Sequence, residues 1–274
     1  MLMKRIFNII VYTFAAIGFV LIAVYGAVQL GWTKGAGIVD TQHDYFKNQL
    51  SHSSTTPPQW TRGEEWNALK VAIIKDQEVI TRAATQLEIS PRLIVSILIV
   101  EQLRLFHSDR ELFKTVFAPL KILATQSQFS WGVMGIKQDT ARTIEDNLKN
   151  KQSPWYINTH YEHLFDYASS TNASDIDSER FARLTNEDDR YYSYLYAAVL
   201  LRELQSQWER AGFPIHAMPG ILATLFNIGF ANSHPNPAPK SGGAEIQIQS
   251  TTYSFGGLAQ SFYDSDELIA EFPR

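Results

Sequence analysis

Between Arg5 and Lys34 the chain runs for 28 residues without a charged side chain, and 20 of the 25 residues from Ile6 to Leu30 are hydrophobic. At about 1.5 Å per residue, a helix of this length crosses a hydrocarbon core of about 30 Å. A secretory signal peptide has a shorter apolar region, about 7–15 residues, closed by a small-x-small cleavage site. Here the run is longer, and Tyr25-Gly26-Ala27 is a poor site. Residues 1–33 therefore read as an uncleaved transmembrane anchor. Lys4 and Arg5 lie beside the N-terminal amine, whereas Lys34 alone follows the run. The excess of positive charge stays on the cytoplasmic side. The expected topology is a single pass through a bacterial inner membrane, with the N-terminus cytoplasmic and the rest periplasmic or otherwise extracytoplasmic.

The remainder has the composition of a folded protein. With 45% hydrophobic residues and 6 Trp, 12 Tyr and 16 Phe along the 274-residue chain, it can bury a core, which excludes a disordered chain. There is no cysteine, which excludes disulfides, thiolate zinc sites, a thiol nucleophile and a lipidated cysteine anchor. The net charge is −4, and basic residues alternate with acidic ones, so no stretch has the density needed to neutralise nucleic-acid phosphates.

Residues 34–62 are polar, include Ser51-His52-Ser53-Ser54-Thr55-Thr56-Pro57-Pro58, lack a sustained period and read as a stalk. Trp66, Leu69, Ile73 and Ile80 recur at helical spacing between Gly63 and Leu87. Ser90-Pro91 opens the next helix, with Ser as N-cap and Pro at the first helical position. The run Leu93–Val100 is apolar on almost every side, which predicts a buried central helix. Further helices are expected over Asp139–Lys149, Asp189–Arg210, Pro219–Phe226 and near Gly257–Tyr263. After Gly229 a proline-rich loop, Ser233–Gly243, leads into an alternating strand, Glu245–Gln249. The expected fold is mainly α with a small β element. A domain over 63–231 is followed by a C-terminal loop, strand and helix, 232–274, packing on it and lining one rim of a groove.

Glu101 is the first ionisable residue after Arg92 and ends the most hydrophobic helix. Two readings are open. In one it is a surface residue paired with Arg104 at i+3. In the other, Ile97, Leu98 and Val100 form an apolar wall with no cation beside the carboxyl, so that its pKa rises and it serves as a general acid.

Three blocks in order bear on that choice. Ile89 to Glu101 carries a Pro, an apolar helix and a Glu ten residues after the Pro. Ser130-Trp131-Gly132-Val133-Met134-Gly135-Ile136-Lys137-Gln138-Asp139-Thr140-Ala141 follows, and then Leu225-Phe226-Asn227-Ile228-Gly229. Together they resemble the lytic transglycosylases of the lysozyme superfamily. The second block is similar to that family's Gly-x-Met-Gln-Ile-x-Pro-x-Thr-Ala segment and the third to its Ala-Tyr-Asn-Ala-Gly turn. The likeness covers about residues 90–230. It departs at Gly135 (family Gln), Gln138 (family Pro), Phe226 (family Tyr) and Gln102 (family Ser), which indicates a divergent branch with rebuilt substrate contacts.

The resemblance implies a lysozyme-like helical domain that cleaves peptidoglycan glycan strands between MurNAc and GlcNAc, with a 1,6-anhydro product. Such a lyase needs one carboxyl rather than the two of most glycosidases. Glu101 would be acid and then base. Gly132, Met134, Gly135, Ile136, Phe226 and Asn227 would hold the sugar chain, and no metal or cofactor is required. Tyr194–Trp208 would be the helix packed behind the site. An alternative on the same residues is a non-catalytic wall-binding or envelope-assembly protein that uses the groove to dock glycan or a partner of the envelope machinery. Asp109, Glu111 and Asp139 are the nearest candidates for a second carboxyl. Neither His160 nor His163 has the spacing of a zinc site, and both read as surface residues. Asn172-Ala173-Ser174 is a formal glycosylation triplet.

Overall fold

The computed structural model describes residues 58–62, 64–106, 130–167 and 172–274. The anchor, most of the stalk, Asp109 and Glu111 lie outside the described residues. Among the described residues the fold is mainly helical, with eight α-helices and two short hairpins. No helix among them is long and apolar enough to cross a membrane.

The block from Gly63 to Leu87 forms two helices, α1 (Glu64–Lys75) and α2 (Gln77–Gln86). They break at Asp76, a buried carboxylate. Tyr194 Oη donates to it at 2.6 Å, and Arg190 lies at 3.0 Å. Helical periodicity runs through this break because its cause is tertiary. α2 ends in a Schellman turn, with the N–H of Glu88 on Thr85 O and that of Ile89 on Ala84 O. The turn holds Glu88 at φ +55°, where glycine is the usual residue.

α3 (Pro91–Phe106) is the central helix. It packs against α1, α2, α6 (Tyr191–Arg210), α7 (Pro219–Ile228) and α8 (Phe255–Asp264). Leu93 to Val100 are buried without interruption. Pro91 opens the helix, but Ser90 Oγ is buried with no hydrogen-bond partner, so the expected side-chain N-cap is not made. Arg92 is wholly buried and donates all five of its N–H bonds to main-chain carbonyls at the C-terminus. Nε reaches Tyr263 O at 2.9 Å, Nη1 reaches Glu267 O and Phe272 O, and Nη2 reaches Phe262 O and Ser265 O. The last turn of a helix presents carbonyls without intrahelical donors; the guanidinium from the sequence-distant α3 reaches two of them, Phe262 and Tyr263 of α8, and three more in the segment that follows. Its cation also lies over the Phe262 ring at 4.5 Å. Burial lowers its pKa, with the nearby Arg274 adding to the effect.

The C-terminal segment is therefore part of the core. Phe255, Leu258, Phe262 and Phe272 are buried in it. α7 and α8 approach so closely that a Cβ on Gly256 would sit 2.1 Å from Thr224 Oγ1 and 2.3 Å from Gly220 O. The strand expected over Glu245–Gln249 is β3 (Glu245–Ile248), paired antiparallel with β4 (Thr251–Ser254). The stalk read as ending at residue 62 stops earlier. Trp60 is buried edge-on against Trp66, its Nε1 donates to Ser261 Oγ at 3.0 Å, and Thr251 Oγ1 donates to Gln59 Oε1.

α4 (Gln138–Lys149) and α5 (Ala173–Thr185) meet α6 through Glu145. Its carboxylate accepts from Arg180 Nε at 2.6 Å and from the hydroxyls of Tyr167 and Tyr196. Sequence periodicity does not reveal α5, but Asn172 does offer a signal. Its Oδ1 accepts from Ser174 N–H at 3.1 Å, so the glycosylation-like triplet is the N-cap of a helix.

Candidate functional site

Glu101 lies one turn and a half before the end of α3 and is 3% exposed. The structure combines half of each sequence reading. The carboxyl is out of water, yet its Oε2 is 2.5 Å from Arg104 Nη2, and the Arg104 side chain is 22% exposed. The expected surroundings without a cation are thus corrected, because the i+3 spacing on α3 brings the guanidinium back over the acid.

The second block folds as a hairpin around a four-residue turn, not as a simple link between helices. β1 (Ser130–Trp131) pairs antiparallel with β2 (Ile136–Lys137). Gly132 and Gly135 sit at φ +63° and +64°. Both positions exclude a side chain for steric reasons too. A Cβ on Gly132 would lie 2.2 Å from Leu184 O, and one on Gly135 would lie 3.0 Å from Glu101 Oε2. Gly135, where the family pattern has a long amide, therefore lets the turn backbone close against the acid.

The turn is locked in place by Gln102, which stands where the family has Ser, and by Ser193, which sequence reasoning does not single out. Gln102 Nε2 donates to Val133 O at 2.6 Å, and Met134 N–H donates to Ser193 Oγ. Gln102 follows Glu101 directly, so one step of α3 fixes both the acid and the turn. Met134 and Ile136 bury their side chains in the core. Trp131 packs edge-on against Phe181 of α5, with ring centres 5.0 Å apart. Gln138, which stands where the family has Pro, is buried at the first position of α4.

The third block is the end of α7. Phe226 is buried, and Gly229 stops the helix at φ +81°. Asn227 Oδ1 accepts from Ala244 N–H at 2.8 Å, and a Cβ on Gly243 would sit 2.9 Å from the same oxygen. The carbonyl of this amide therefore holds the C-terminal loop against α7. The structure brings Glu101, Gly135 and the turn together directly, and α7 packs on the same helix, α3. Asp139 is exposed and pairs with Arg142 at 3.3 Å. His160 and His163 are both exposed, and His163 Nδ1 lies 2.7 Å from Asp166.

Comparison of the chain with models of known protein families, with curated proteins and with solved structures found no match. The likeness to lytic transglycosylases consequently rests on the residues of the three blocks and their order along the chain.

Proposed function

We propose that the chain is a membrane-anchored peptidoglycan lytic transglycosylase of lysozyme-like type, acting on the extracytoplasmic side of a bacterial inner membrane with Glu101 as its acid and base. The observation that carries this reading is the Glu101–Gly135 approach. A carboxyl withdrawn from water at the end of an apolar helix is closed over by a glycine turn whose main chain can come near a ligand. Glu101 would protonate the glycosidic oxygen as the bond to MurNAc breaks. It would then take the proton of the sugar's C6 hydroxyl as that oxygen closes the 1,6-anhydro ring. Protons balance without water, metal or a second carboxyl, and the glycan strand is the only partner the chemistry requires.

One observation favours a second reading. Arg104 already occupies Glu101 Oε2, and an acid held in an ion pair is suited to structure rather than proton donation. On this reading the protein is a non-catalytic module that docks glycan or an envelope partner. Digestion of purified peptidoglycan by the full-length protein separates the two. Release of 1,6-anhydro muropeptides by the wild type, and a loss of about 10²–10⁴-fold in Glu101→Gln, supports the enzyme. Glycan binding without products supports docking. The topology is tested by a reporter active only in the periplasm, fused after residue 40. Reporter silence, or a processed soluble product, overturns the anchor.

A further inference from the structure

At the other end of α3, a cavity of about 270 Å³ opens between the α2–α3 turn, α6 and the start of α7. Its polar lining is poorly satisfied. Ser90 Oγ and Arg202 Nε are sealed from water with no hydrogen-bond partner. Gln205, one helical turn from Arg202 on α6, is only 4% exposed and makes no hydrogen bond among the described residues. Buried polar groups are almost always paired, so two sealed, unpaired atoms on residues lining one small cavity, beside an amide that makes no hydrogen bond among the described residues, mark polar groups that a ligand can engage.

The charges define which ligand. Arg202 forms no ion pair among the described residues, and neither does Glu88, which lines the same cavity from its left-handed turn. A guanidinium and a carboxylate that line one cavity without pairing with each other suit a molecule that carries both opposite charges. Pro91 and Pro219 start α3 and α7 beside the cavity, and helix N-termini add to the attraction for a carboxylate. Ile89, Leu93 and Pro219 supply an apolar wall. The volume lies below the range of about 300–1,000 Å³ typical of drug-sized ligands.

We infer that this cavity binds a small zwitterion, an α-amino acid or a short peptide with free termini. Its carboxylate lies on Arg202, Ser90 and Gln205, and its ammonium on Glu88. A change of the Ser90 side-chain rotamer and a small swing of Arg202 bring the sealed Oγ and Nε to the ligand. The site lies eleven residues along α3 from Glu101, about 16 Å, so it stands independently of glycan cleavage.

Calorimetric titration of the full-length protein with L-alanine, L-alanyl-L-alanine, N-acetyl-L-alanine and L-alaninamide tests it. Saturable binding of alanine or the dipeptide, one per chain, is expected, and the tighter of the two tells a free amino acid from a peptide. N-acetyl-L-alanine lacks the ammonium and L-alaninamide the carboxylate, and each binds at least about tenfold more weakly. Glu88→Gln, at the exposed rim, weakens alanine about tenfold and leaves N-acetyl-L-alanine unchanged, whereas Arg202→Gln weakens both. Absence of saturable binding by alanine and the dipeptide overturns the site. Equal affinity for alanine and its N-acetyl derivative, or a Glu88→Gln protein that binds alanine as the wild type does, overturns the zwitterion assignment.

Discussion

Glu101 and Arg104 lie one helical turn apart on α3 and form a contact of 2.5 Å, with the acid almost wholly out of water and the base at its edge. Removing one partner of such a pair leaves a desolvated charge, whereas removing both does not. Arg104→Met is expected to cost about 1–3 kcal/mol, less than for a fully buried pair because Arg104 keeps some contact with solvent. The double variant Glu101→Gln/Arg104→Met should recover much of that loss. Urea unfolding of the four proteins of the cycle gives the coupling, and a coupling near zero would mean that the pair contributes nothing.

The two glycines of the β1–β2 turn differ in what blocks them. At Gly132 the obstacle is the main-chain carbonyl of Leu184, and at Gly135 it is the end of the Glu101 side chain. Both share the cost of about 1–2 kcal/mol for placing a side chain at positive φ. Gly132→Ala is therefore expected to lose more stability than Gly135→Ala, because a carbonyl fixed in α5 cannot move aside. Thermal melts that reverse this order would contradict the assignment of the two obstacles.

Arg92 ties α3 to the chain terminus through five carbonyls. A lysine has three donors on a single nitrogen, so Arg92→Lys leaves at least two of those carbonyls without this partner. A cost of about 2–4 kcal/mol is expected, with Arg92→Met costing at least as much. Limited proteolysis should show cleavage after α8 in both variants before the rest of the chain is attacked. Uniform cleavage would show that the clamp is not local.

Glu203, on α6, is wholly buried, and one carboxyl oxygen has no partner. The other accepts from Asn147 Nδ2 at 3.5 Å. Burial raises its pKa well above the ordinary 4.5, against the smaller lowering effect of Asn147. The folded protein then holds a proton that the unfolded chain releases. This contribution is fully present below about pH 4.5 and is lost as pH rises toward the folded pKa. Glu203→Gln lacks that loss. Its stability relative to the wild type should increase by about 1.4 kcal/mol per pH unit across the window, then level off. Denaturation midpoints that stay parallel between pH 5 and 8 would contradict a protonated Glu203.

Much of the helical framework is legible from local rules. Continuous hydrophobicity from Leu93 to Val100 predicts a central helix, Pro91 and Pro219 mark helix starts, and alternation over Glu245–Gln249 marks a strand. These features act over a few residues, which is the range over which sequence periodicity carries information. The three blocks likewise direct attention to Glu101 and the Gly132–Gly135 turn.

What tertiary structure alone decides are contacts between residues far apart in the chain. The break at Asp76 depends on Arg190 and Tyr194, and the burial of Trp60 on Trp66, Phe262 and Ser261. The Arg92 clamp depends on carbonyls some 170–180 residues away. Asn227 reads in the sequence as a sugar-binding group, and the fold adds that its Oδ1 accepts from Ala244 N–H, 17 residues on. Glu101 shows the division most clearly. Sequence offers either burial or pairing with Arg104, and the folded chain has both, because the i+3 geometry of α3 supplies the guanidinium while the glycine turn of a separate hairpin closes over the acid. The sequence determines the helices through short-range periodicity and capping. Which polar groups end in the core, and with which partners, follows only when distant segments pack and each desolvated charge must find the donor or acceptor that the fold brings to it.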